Sequence, residues 1–180
     1  ADQPGIRMRL YSGNYDDVHE KVDKGLLDFG IVMGHDAEAR FDTLELPGQD
    51  RWGLLVRRDH RLAGRSSITL DDARNERLIV SSQVHDDLDD DSTLQYFLSH
   101  GYEVVATYTL LYNASLLVEQ GMGVAVCFDG IVRVGEGTPF AFVPIVDLPP
   151  VEARLMWKRF QPQSRACQLF LAAVRRECGM

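Results

Sequence analysis

Nine residues, Leu26-Leu27-Asp28-Phe29-Gly30-Ile31-Val32-Met33-Gly34, constrain this chain more than any other stretch. A nearly continuous apolar run predicts a strand covered on both faces. Ahead of it, Tyr15, Val18 and Val22 stand at helical spacing, and Asp16 and Asp17 fall in the first turn, where the helix dipole favours them. Lys24-Gly25 has the chemistry of a helix end. Further back, apolar and basic residues alternate from Ile6 to Tyr11, the period of a half-buried strand, and Ser12-Gly13-Asn14 supplies turn and capping side chains. Strand, helix and buried strand within about thirty residues predict a βαβ unit with a right-handed crossover.

The same alternation continues. Residues 35–43 are polar and read as loop, and Leu44 and Leu46 flank a short extended stretch. Trp52 to Val56 reads as a strand, 59–64 as a turn, and Thr69 as the cap of a single-turn helix. A strand begins at Leu78–Val80, and a helix follows Ser92-Thr93 with Leu94, Phe97 and Leu98 on its apolar face. Glu103–Thr109 alternates as a strand, Asn113–Gln120 is helical, and Val124–Phe128 reads as a buried strand. Residues 129–139 are glycine-rich loop. Phe140–Val146 and Glu152–Lys158 are strands, and a last helix runs from beyond Pro162 to about Glu177. Interleaved strands and helices define an α/β class.

Charge and cysteine usage narrow the function classes. The 180 residues carry a net charge of −8, which repels phosphate backbones at long range and makes the domain as a whole a poor candidate for gripping nucleic acid. The densest cationic run, Arg51, Arg57, Arg58, His60, Arg61 and Arg65, reads as a solvated face. Three widely spaced cysteines, Cys127, Cys167 and Cys178, give no disulfide framework and no zinc spacing, which fits a reducing cytoplasm. No apolar run approaches the ~20 residues of a membrane span.

Catalytic and metal signatures are missing from the pattern. The five histidines show no HExxH or comparable ligand spacing, and no nucleophile–base grouping is evident. The acidic run Asp86 to Asp91 lacks the glycine and terminal glutamate of a calcium loop and reads as solvated charge. No cofactor and no metal are expected. What remains is a set of helix N-termini, whose unpaired N–H groups make anion sites. Ser12-Gly13-Asn14 opens the first helix, Ser81-Ser82-Gln83 follows the strand that begins at Leu78, and the run Thr109 to Asn113 leads into another helix. Their hydroxyls and amides donate to a carboxylate without adding net charge, although each could equally serve as an ordinary cap or turn.

Six segments stand in an order that resembles the effector-binding domain of LysR-type transcriptional regulators, over essentially the whole chain. They are Ser12-Gly13-Asn14 with a helix ending at Gly25; Leu27-Asp28-Phe29-Gly30-Ile31-Val32; Asp59-His60-Arg61-Leu62-Ala63; Ile68-Thr69-Leu70-Asp71-Asp72; Val118-Glu119-Gln120-Gly121-Met122-Gly123-Val124-Ala125; and Leu155-Met156-Trp157-Lys158 with the final helix. The resemblance implies two Rossmann-like α/β lobes of periplasmic-binding-protein type II kind, joined by crossing strands. Lobe I would take residues 1–77 and 147–180, and lobe II residues 78–146. It implies a small, anionic effector in the inter-lobe cleft, held from among Ser12, Gly13, Asn14, Met33, Ser81, Ser82, Gln83, Thr109, Asn113 and Phe128. Phe128 stands where many members carry proline. It further implies a homo-oligomer, dimer or tetramer, that touches DNA only through an N-terminal region. Family domains begin with a strand and helix ahead of this point, and Ala1 to Gly5 resemble the linker after that helix. A transport-linked solute-binding protein has the same architecture and is the alternative; an enzyme is disfavoured because no catalytic grouping appears.

Overall fold

The computed structural model describes residues 5–34, 38–82 and 93–179. Its contacts divide the chain into two compact units. Unit 1 comprises Ala1–Pro47 and Ala153–Met180, and unit 2 comprises Gly48–Glu152. The lobe boundaries expected at 77/78 and 146/147 both fall inside unit 2, and the strand Trp52–Arg57, ahead of the first boundary, shares one sheet with strands beyond it.

Unit 1 is a three-stranded antiparallel sheet with a helix on each face. Strands β1 (Gly30–Met33) and β2 (Phe41–Glu45) flank β8 (Ala153–Lys158), in the order β1-β8-β2. The period-two rule assigns the faces. From β8, Met156 joins Val22, Val32 and Phe41 under helix α1 (Tyr15–Asp23), while Leu155 and Trp157 join Leu44 and Leu171 under helix α4 (Arg165–Glu177). Helix α1 is capped by Asn14, whose Oδ1 accepts the Asp17 N–H at 2.9 Å. Helix α4 is capped by Ser164, whose Oγ accepts from the Cys167 N–H.

Three expectations fail here. Ile6–Tyr11 forms no strand, so the βαβ unit is not built. Its alternation is genuine, but no strand among the described residues pairs with it, and Met8 and Leu10 are 68% and 88% exposed. A two-residue period reports a sheet face only when a sheet is there to bury it. The apolar run at 26–34 also contracts to four strand residues, and Ile31 is 62% exposed, so β1 is covered on one face at that point. The strand β2 begins inside the polar stretch read as loop, and Phe41, 2% exposed, anchors it.

Unit 2 holds a five-stranded mixed sheet, β5-β4-β6-β3-β7. Its strands are β3 (Trp52–Arg57), β4 (Arg77–Ser81), β5 (Glu103–Tyr108), β6 (Val124–Phe128) and β7 (Phe140–Pro144). Strand β4 runs parallel to β5 and β6, and β3 runs antiparallel to β6 and β7. Helix α2 (Thr93–Ser99) packs on β4 and β5, with Phe97 buried but Leu98 exposed, contrary to the face assigned to it from sequence. Helix α3 (Leu111–Glu119) packs Leu111, Ala114 and Val118 onto Leu55, Ile79, Ala125 and Cys127. Ahead of a single 3-10 turn at Asp71–Ala73, Thr69 and Asp72 exchange hydrogen bonds: the Asp72 carboxylate accepts the Thr69 N–H, and the Thr69 hydroxyl accepts the Asp72 N–H. The Thr69 N–H, aided by the Thr69 hydroxyl and the Arg65 guanidinium, holds the Asp72 carboxyl below its ordinary value. The turn into β6 depends on Gly123: a Cβ there would lie 2.2 Å from the Arg77 carbonyl oxygen.

Candidate functional site

The strand order of unit 2 singles out one end of its sheet. Strand β4 is central among the parallel strands, and the chain leaves it for β5 on one side, then returns to β6 on the other. The carboxyl ends of β4 and β6 therefore lie side by side while their outgoing connections diverge, the switch point at which open α/β sheets leave a crevice. Ser81 and Ser82 stand at the end of β4, and Phe128 and Asp129 at the end of β6. Tyr108 and Thr109 end the neighbouring β5.

Local bonding fixes what these groups offer. The Ser82 N–H donates to the Tyr108 carbonyl at 3.0 Å, so the β4–β5 ladder extends one residue past β4. The Ser82 hydroxyl also donates to that carbonyl, at 3.3 Å, and the residue is exposed. Ser81 is 5% exposed. Below them, the Tyr108 hydroxyl donates to the Val126 carbonyl at 2.7 Å, and burial pushes its phenol upward. The loop after β5 enters α3 through Leu110, an extended residue with no side-chain cap. Asn113 lies inside the first turn, where its N–H bonds the Leu110 carbonyl. Phe128 is 7% exposed, with its ring 4.2 Å from that of Trp52. Asp129 accepts from the Arg51 N–H and Nε at 2.8 and 2.9 Å. Burial, then the Asp129 charge, raises the neighbouring Asp50 carboxyl.

The candidates from sequence thus separate. Ser81, Ser82, Thr109 and Phe128 come together at the carboxyl ends of adjacent strands in unit 2, with Asn113 just beyond. Ser12, Gly13, Asn14 and Met33 belong to unit 1: Asn14 caps α1, and Met33 ends β1. Gln83 and the Asp86–Asp91 run lie outside the described residues. Sequence reading did not find Tyr108, Trp52 or Asp129. Nothing in an alternating strand says that a tyrosine will bridge to a strand two places away, because the bridge depends on strand order rather than strand period.

Several other titratable groups are held in ion pairs. His19 Nε2 lies 2.8 Å from Glu38, and His60 Nε2 lies 3.2 Å from the nearly buried Glu76, which Arg61 also pairs. The arginine run is bound up internally: Arg51 with Asp129, Arg57 with Asp59, Arg58 with the Gly135 carbonyl, and Arg65 with Asp72. Among the described residues, no three His, Cys, Asp or Glu side chains form a group that could hold a metal, and no helix is long and apolar enough to cross a membrane.

Comparison with known proteins gives a family match over residues 1–179, to the LysR substrate binding domain. A curated relative, the uncharacterized HTH-type transcriptional regulator YvbU of Bacillus subtilis (strain 168), is 26% identical over 125 residues, which is 68% of this chain and 40% of the relative. The chain therefore spans about two fifths of that protein's length. Among solved structures, the CcmR regulatory domain of Synechocystis PCC6803, in complex with 2-PG, superposes with a TM-score of 0.77 at 20% identity, covering 98% of this chain and 86% of that one. The effector binding domain of QuiR, in complex with shikimate, gives 0.77 at 16% identity, covering 99% and 84%. At these identities the superpositions establish the fold, of the periplasmic-binding-protein type II kind. The relatives are transcriptional regulators and give the transport alternative no support.

Proposed function

The chain belongs to the LysR substrate-binding domain family, and from that premise we infer that it senses a small anionic organic molecule at the carboxyl ends of β4, β5 and β6. It is a binding module within a family of regulators rather than a catalyst.

One observation carries the reading: Ser81, Ser82, Thr109 and Phe128, three hydroxyl residues and one aromatic, converge at the switch point of the unit 2 sheet. Hydroxyls and the uncapped first turn of α3 donate to a carboxylate, and no lysine or arginine is needed to neutralise it. Phe128 supplies an apolar wall. The 2-PG and shikimate bound by two structures of the same fold are compatible with an anionic ligand, shikimate being a carboxylate. Gln83 extends the polar run after β4 in the sequence, and Asn113 adds an amide in the first turn of α3. Ser12, Gly13, Asn14 and Met33 are a separate set in unit 1, to be tested by their own variants.

In this reading, ligand binding alters the packing of a homo-oligomer, and a DNA-binding region outside these residues carries the signal to a promoter in the cytoplasm. The test is calorimetric titration and thermal shift of the 180-residue chain with shikimate, benzoate and a panel of short-chain carboxylates. A ligand at 100 times its Kd stabilises the folded chain by about 2.7 kcal/mol, a clear rise in melting temperature. Ser82→Ala should weaken the responding acid about tenfold, the worth of one hydrogen bond to a charged group. Absence of a response to any acid at millimolar concentration, or binding indifferent to both Ser82→Ala and Phe128→Ala, overturns the assignment.

A further inference from the structure

Strand β2 closes one side of the unit 1 sheet, and no strand among the described residues pairs with its outer edge. In the β2–β8 ladder, the Arg159 N–H donates to the Arg40 carbonyl and the Leu46 N–H donates to the Ala153 carbonyl. Antiparallel pairs alternate, so Asp42 and Leu44 also exchange their bonds with β8. The N–H and C=O groups of Thr43 and Glu45 then point away from the sheet. Phe41 donates to the Glu38 carbonyl, but no strand among the described residues meets Thr43 or Glu45. Edge strands are commonly blunted by charged side chains, lysine above all, by proline or by a bulge; Phe41-Asp42-Thr43-Leu44-Glu45 has no lysine, proline or bulge, and of its two charges Asp42 is held by Arg159, leaving Glu45.

A cavity of about 800 Å³ runs along this edge, walled by β2, the segment after β8 and helix α4. Its charges are unequal. Arg159 pairs with Asp42, Lys158 with Asp23, and Glu38 with Arg40 and His19. Arg175 lines the same cavity and has no ion-pair partner among the described residues. Phe160, also on the cavity, is 96% exposed and holds a left-handed backbone, φ 61°, unlike every other described residue that is not glycine.

We propose that the outer edge of β2 docks an extended acidic peptide segment of a partner protein, added as a fourth strand. The backbone of Thr43 and Glu45 pairs with the incoming strand, Arg175 meets a carboxylate on it, and the Phe160 ring covers its end. This is strand addition, in which main-chain bonds give affinity and flanking side chains give selectivity.

The experiment uses the isotope-labelled 180-residue chain and two synthetic peptides, acetyl-Val-Glu-Val-Glu-Val-amide and its lysine counterpart, followed by NMR and amide exchange. With the glutamate peptide, exchange at the Thr43 and Glu45 amides should slow at least about tenfold, while Leu44, already paired with β8, is unchanged. Thr43→Pro removes an N–H that no strand uses and should abolish binding with the sheet intact; Thr43→Val, which keeps the N–H, should bind as the parent does. Arg175→Ala should weaken the glutamate peptide about fivefold. Equal binding of the lysine peptide overturns the proposal. So does a shift at Arg175 without protection of Thr43, which would mark a small-anion site. Protection of Thr43 that grows with protein concentration in the absence of peptide would name a second copy as the occupant and likewise overturn it. None of these readouts involves Ser82, so the two proposals fail independently.

Discussion

The Tyr108 hydroxyl reaches the Val126 carbonyl across β4, joining two strands that do not pair with each other, directly beneath the ends of the strands that carry Ser82 and Phe128. Tyr108→Phe removes this bond and leaves an acceptor in a mostly apolar setting, next to Cys127 and Ala125. The expected cost is about 1–2 kcal/mol, read by urea denaturation. Because the tie lies under the proposed site, carboxylate affinity in the variant should fall as well, without any change in the groups that donate to the ligand.

The same phenol makes a prediction about pH. Burial raises it above its ordinary value of 10.0, so the folded state favours the protonated form. Its contribution is therefore complete below the unfolded-state value and is lost as pH rises beyond it. Stability should fall above pH ~10 more steeply in the parent than in Tyr108→Phe. Absorbance near ~295 nm should show one fewer late-ionising tyrosine in Tyr108→Phe than in the parent, in which Tyr102 is buried as well. A phenol titrating with the exposed tyrosines in the folded protein would contradict its burial.

How much of this was legible in the sequence depended on whether a signal was local. Helix α4, the cap at Asn14 and the buried strand Val124–Phe128 were, because capping chemistry and apolar runs are properties of adjacent residues. The pairing of Ile6–Tyr11 was not: alternation marks a segment that can form a strand, but a partner decides whether it does. Leu98 shows the same limit from the helical side, since a helix of seven residues turns fewer than two full cycles and its buried face cannot be fixed by spacing alone. At the site, Ser81 was legible as a hydroxyl at the end of a strand, while Phe128 came only from a family resemblance that supplied the order of the chain. Tyr108 and Trp52 were missed because their roles arise from which strands become neighbours.

Gly123 offers a sharp test of the β4–β6 register. Its missing side chain lets the backbone pass the Arg77 carbonyl, and an added Cβ would meet that oxygen at 2.2 Å. Backbone atoms on both sides have no rotamer to escape through. Gly123→Ala should therefore cost about 3 kcal/mol or more, at the upper end of overpacking. Gly130→Ala is the control: it meets nothing within 4 Å, so only its left-handed conformation, φ 76°, is penalised, by about 1–2 kcal/mol. Equal losses in the two variants would mean that the close approach is absent.

The cysteines should differ in reactivity by position. Cys127 is buried within β6, and burial pushes its thiol up to about 12. At pH ~8 it carries almost no thiolate and should resist iodoacetamide until the chain unfolds. Cys178, partly exposed after α4, should be alkylated in the native state. Peptide mass mapping after a timed pulse separates the two; labelling of Cys127 at the rate of Cys178 would show that β6 opens readily.

Asn14 is where structural and ligand roles can be set apart. Its Oδ1 already accepts the Asp17 N–H, the ordinary duty of a residue ahead of a helix. Asn14→Ala should cost about 1 kcal/mol through loss of the cap, whereas Asn14→Ser and Asn14→Asp keep an acceptor and should restore it. A ligand contact would follow a different order. Asp adds a negative charge beside an anion and should depress carboxylate affinity most, even though it caps α1 well. If affinity instead tracks stability across the three variants, Asn14 serves the helix alone, and the polar groups that meet the effector are those at the carboxyl ends of the unit 2 strands.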